Sequence, residues 1–64
     1  MDPNANVRER IALYLNPSRT RTDTARLREL TGAYGDWRAA GGFSADAALQ
    51  DELQAARIKD RVTR

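Results

Sequence analysis

The chain has 64 residues, eleven basic and nine acidic side chains, a formal net charge of +2, and neither cysteine nor histidine. Without those two residue types there is no disulfide framework, no thiolate metal site and no ordinary nucleophile–base pair; no apolar run reaches the roughly 20 residues of a membrane span. A chain this short buries only about 60% of its unfolded surface, so a partner or a second copy is expected to share in stabilising it.

Met1 to Ala5 reads as an unstructured start, with Asp2-Pro3 as a turn signal. Asn6 is placed to cap a first helix over about residues 7–15, with Glu9 three positions on completing a capping box. Val7, Ile11, Tyr14 and Leu15 make its apolar stripe, and Pro17 disfavours helical backbone at Asn16. The run Ile11 to Leu15 also fits a short strand, but no second strand is available to pair with it. Three large residues in succession, Leu13, Tyr14 and Leu15, cannot all face one core.

A polar linker, Asn16 to Thr22, carries alternating hydroxyls and guanidinium groups. Thr20, Thr22 and Asp23 all qualify as the cap of the second helix, expected over about 23–40. Leu27, Leu30, Tyr34 and Trp37 recur at intervals of three and four, which places them on one face and makes this helix the expected organiser of the core. Gly32 and Gly35 cost roughly 1 kcal/mol each in such a helix. Either they admit another helix closely or the helix breaks there; the unbroken apolar phase favours continuity.

Gly41-Gly42 marks the clearest boundary, since glycine takes the left-handed conformation that closes helices. Ser44 is expected to cap the third helix, about 45–60, with Phe43 stapled against Ala48. Ala45, Leu49, Leu53 and Ala56 line its core face, while Ile58 and Val62 fall nearly opposite and call for a second partner or solvent. The expectation is an all-α fold of one small helical domain over residues 1–64. It is either a three-helix bundle or a helical hairpin plus an N-terminal helix, with dimerisation as a means of completing the core.

The charge is unevenly spread. Between Arg8 and Arg28 there are six arginines against Glu9 and Asp23, whereas acids outnumber bases from Glu29 to Asp60. Arg19, Arg21, Arg26 and Arg28 near the start of the second helix are therefore candidates for contacting phosphates of a nucleic acid. Tyr14, Tyr34, Trp37 and Arg38, with Ile58 and Val62, are candidates for a protein interface, because aromatic and arginine side chains are the favoured anchors there. The acids are not spaced for paired acid–base work, and no glycine-rich phosphate loop is present. The sequence therefore points to a non-enzyme that needs no cofactor and no metal. It is expected in the cytoplasm, since Met1 to Asn6 lack the basic start and apolar centre of a signal peptide. Its first reading is a module binding a protein partner, copies of itself included, through apolar faces rimmed by arginines. The alternative is a small nucleic-acid-binding regulator.

Overall fold

A computed structural model describes residues 1–63 and shows three α-helices: α1 (Pro3–Leu15), α2 (Arg21–Ala39) and α3 (Ala47–Thr63). Among the described residues there is no strand, so Ile11 to Leu15 is helical. No helix among them is long and apolar enough to cross a membrane.

The first helix starts four residues earlier than the sequence suggests. Asp2 caps it, its carboxylate accepting from the amides of Asn4 (3.0 Å) and Ala5 (3.4 Å), and Pro3 occupies the first helical position, where a missing N–H costs nothing. Asn6 is thus not a cap. It is buried inside α1, where its Nδ2 donates to the Leu30 carbonyl of α2 at 2.9 Å. The helix ends at Leu15, before Asn16 and Pro17.

Of the three possible caps for α2, the fold uses Thr20. Its hydroxyl accepts from the Asp23 amide (3.2 Å) while the Asp23 carboxylate accepts from the Thr20 amide (3.0 Å), a reciprocal capping box. The helix is continuous through Gly32 and Gly35. Close approach of another helix is not the reason for these glycines: both are exposed, and a Cβ built on either meets nothing within 4 Å. At the far end, the Gly42 amide donates to the Trp37 carbonyl (2.8 Å) and the Gly41 amide to that of Arg38 (3.0 Å), with Gly41 at φ +89°. This is the Schellman closure, and it requires the left-handed residue where Gly41 stands.

Trp37 belongs to that turn rather than to the core. Its indole lies half-buried where a Gly42 side chain would be, and Nε1 donates to the Phe43 carbonyl at 2.7 Å. Phe43 does not staple α3; its side chain is 83% exposed. Ser44 does not cap α3 either, because the helix begins two residues beyond the expected start at Ala45, at Ala47. The preceding Asp46 is instead held by Asn4, which accepts from its amide (2.9 Å) and donates to its carboxylate (3.1 Å).

The organising element is α1, not α2. Pairs such as Asn6–Leu30 and Glu9–Arg26 run antiparallel between α1 and α2, whereas Asn4–Asp46 at one end and Arg19–Asp60 at the other align α3 parallel to α1. Among the described residues α2 and α3 have no close backbone approach, so α1 is flanked on both sides. The result is a slab of 34 × 24 × 15 Å, with a radius of gyration of 11.7 Å against about 10.7 Å for a compact chain of this length. Val7 (1% exposed), Ala45 and Leu53 form its core, flanked by Ile11, Tyr14, Tyr34 and Leu49; Leu27, Leu30 and Ala56 are buried beside them. The face Ala45, Leu49, Leu53, Ala56 therefore does point inward as its spacing predicts.

Candidate functional site

The aromatic candidates are largely used by the fold itself. The Tyr34 hydroxyl accepts from the Ala45 amide at 3.0 Å, which ties α2 to the start of α3. The Arg10 guanidinium lies over the Tyr34 ring at 5.5 Å, and that of Arg19 over the Tyr14 ring at 5.7 Å. Arg38, exposed at the end of α2, donates to the Gly42 carbonyl and so reinforces the same turn as Trp37. Tyr14, Tyr34 and Trp37 thus do not form an exposed strip; each is half-buried.

The four arginines of the phosphate-contact set are dispersed. Arg19 reaches Asp60 through two hydrogen bonds of 3.3 Å in a largely buried pair and also donates to the Leu13 carbonyl (3.4 Å). Arg26 grips Glu9 with Nε (2.7 Å) and Nη2 (3.1 Å) and holds Glu29 with Nη1 (2.9 Å). That grip holds the Glu9 carboxyl below its ordinary pKa of 4.5, chiefly through the hydrogen bonds, and raises that of Arg26. Arg21 and Arg28 are exposed and lie one heptad apart on the outer side of α2. Of the four, only those two make no ion pair, and Arg8, Arg57 and Arg61 elsewhere on the surface are exposed and unpaired in the same way among the described residues.

Most acids likewise have structural roles. Asp2 and Asp23 cap helices, Asp46 is clasped by Asn4, and Glu9, Glu29 and Asp60 take part in ion pairs. Asp36, Asp51 and Glu52 remain exposed.

Apart from Met1 and from Phe43 in the α2–α3 turn, the exposed large apolar side chains among the described residues gather on the outer edge formed by α1 and α3. Ile58 is 59% exposed, Val62 79% and Leu15 49%. A shallow groove of about 240 Å³ runs beside them, lined by Ile11, Leu15, Glu52, Ala55, Ala56 and Lys59. Leu15 and Lys59 also border a second hollow of about 330 Å³ with Tyr14, Pro17 and Thr63, so the two depressions adjoin. The helical spacing already places Ala55 near Ile58 and Val62, whereas it puts Leu15 in the inward stripe of α1 and gives Lys59 no role. The signal for Leu15 was present in the run Leu13-Tyr14-Leu15, of which it is the member left facing water.

These observations define a small all-α protein, three helices centred on α1, with an apolar edge along α1 and α3. Comparison with family models, with curated proteins and with solved structures found no match to this chain.

Proposed function

We propose that the chain is a non-catalytic protein-binding module whose contact surface is the α1–α3 edge around Leu15, Ala55, Ile58 and Val62. The observation that carries this reading is the exposure of Ile58 and Val62 on one side of a helix whose other side is already buried. Two large aliphatic groups one helical turn apart, beside an apolar groove and bordered by Lys59 and Arg61, match the apolar centre and charged rim of a protein interface. The nucleic-acid reading draws less support, because Arg19 and Arg26 are occupied by Asp60, Glu9 and Glu29.

Site-specific photocrosslinking in the cells that make the protein separates the two. A photoreactive residue at Val62 should yield protein adducts that the same residue at Arg28 does not. Nucleic-acid adducts from Arg28, with none to protein from Val62, would overturn the proposal in favour of phosphate contact.

A further inference from the structure

The outer side of α3 has a regular pattern that the fold does not use. Ala48, Asp51, Ala55, Ile58 and Val62 follow one another at intervals of three and four, the a/d seam of a helix-pairing heptad, and all five are exposed. Glu52 and Lys59 then occupy successive e positions, and Gln54 and Arg61 successive g positions.

We infer that this seam pairs with the same seam of a second copy, in antiparallel orientation about a two-fold axis between Ala55 and Ile58. The inference rests on the α1–α3 edge being the contact surface and names its occupant. The flanking charges decide the orientation. In an antiparallel pair, e positions meet e positions, so Glu52 of each copy faces Lys59 of the other, twice by symmetry. A parallel pair would set g against e and bring Gln54 to Lys59, gaining no opposite-charge contact. The apolar layers agree with the charges. The register that joins Glu52 to Lys59 also places Ala55 against Ile58 of the second copy, a small residue against a large one, and Gln54 against Arg61. Asp51 falls opposite Val62 in the two outermost layers, where its carboxylate keeps access to water.

The existing fold leaves room for this contact. Glu52 and Lys59 stand on the rim of the groove that Ile11, Leu15 and Ala55 line, so the approaching helix also covers Leu15. The overlap from Asp51 to Val62 extends only about 17 Å along the helix, well short of a standard interface. The association is therefore weak and reversible, with Kd on the order of 100 μM.

Sedimentation equilibrium from micromolar to millimolar concentration tests the inference, with circular dichroism confirming that each variant stays helical. The wild type should pass from monomer to dimer across that range. E52K alone or K59E alone places like charges opposite each other at both symmetry-related contacts and should weaken dimerisation about ten-fold. The double variant E52K/K59E should restore it, and an equimolar mixture of the two single variants should form heterodimers in preference to either homodimer. A wild type that stays monomeric throughout, or single variants that dimerise as well as the wild type, would overturn the antiparallel pairing. In either case, photocrosslinks from Val62 to a different protein would leave the proposed binding surface intact and show that another occupant covers it.

Discussion

Arg10→Met should make this protein more stable, although it removes a charged side chain from the middle of α1. Arg10 is 6% exposed, its Nε has no hydrogen-bond partner, and among the described residues no carboxylate forms an ion pair with it. What it has is one hydrogen bond to the Asn6 Oδ1 at 3.4 Å, longer than a good N–H···O bond, and the face of Tyr34. The aromatic contact is worth about 0.5–2 kcal/mol. Withdrawing a guanidinium from water costs several kcal/mol, and this burial, with Arg57 nearby, pushes its pKa down. Methionine keeps the unbranched stem and sets sulfur against Tyr34, recovering about 0.3–1.5 kcal/mol; against this, Asn6 Oδ1 loses its donor at about 1–3 kcal/mol. The net expectation is a gain of about 1–2 kcal/mol. In urea unfolding followed by far-UV circular dichroism, that moves the midpoint upward by about 1 M with an unchanged slope. The sign with pH also follows. A base with a depressed folded pKa is destabilising while charged and relieved only when it deprotonates, and a guanidinium does so only at extreme alkalinity. The gain should therefore be flat from about pH 5 to pH 9. A loss of about 1 kcal/mol or more would refute the reasoning and show that the stack of Asn6, Arg10 and Tyr34 holds the helices together.

Gly32→Ala and Gly35→Ala should each stabilise by about 0.5–1 kcal/mol, because the added methyl meets nothing and helix propensity acts alone; thermal unfolding of each variant checks this, and a loss of stability would reveal a packing constraint. Gly42→Ala should destabilise by about 1–3 kcal/mol, since the new Cβ would fall within the Trp37 indole, and tryptophan fluorescence should report the displaced ring. Glu9→Gln tests the clasp on Arg26. A carboxylate with a lowered folded pKa contributes stability above its unfolded value near 4.5, lost as pH falls through the lower folded value. Wild type should exceed the variant at neutral pH, and the difference should shrink in acid below that range; a difference independent of pH would mean that the ion pair contributes nothing.

The parts of the fold legible in the sequence are those governed by neighbours along the chain. Pro17 stops α1, Gly41 and Gly42 close α2, and the spacing of Ala45, Leu49, Leu53 and Ala56 selects the buried side of α3. Ile58 and Val62 are exposed by the same arithmetic. Asp2-Pro3 is a local signal that serves a helix start as well as a turn, but other misplaced features depend on groups far away in sequence. Asn6 has the local signature of a cap, but the Leu30 carbonyl claims its side chain and Asp2 takes over the helix start. Arg19 and Arg26 look like members of a cationic cluster until folding delivers Asp60 and Glu9 to them. Trp37 keeps phase with Leu27 and Leu30 yet lies one turn too far along α2 to reach the core, so it closes the turn instead. Periodicity identifies a helix's inner side but not how far along the helix its neighbours extend.

The parallel alignment of α1 and α3 has a consequence for how the chain acquires its structure. Neighbouring helices joined by a short turn run antiparallel and zip together locally, but parallel ones must wait for a crossover, here the whole of α2. The clasps that secure α3, Asn4 to Asp46 and Arg19 to Asp60, connect residues 42 and 41 positions apart. Loop-closure entropy must be overcome before either contact contributes, and α3 has no backbone packing on α2 to form first, so this protein should fold more slowly than a three-helix bundle of equal length in which α2 also packs on α3. During synthesis α1 and α2 emerge first, and Val7 has no α3 to cover it until the last third of the chain is made.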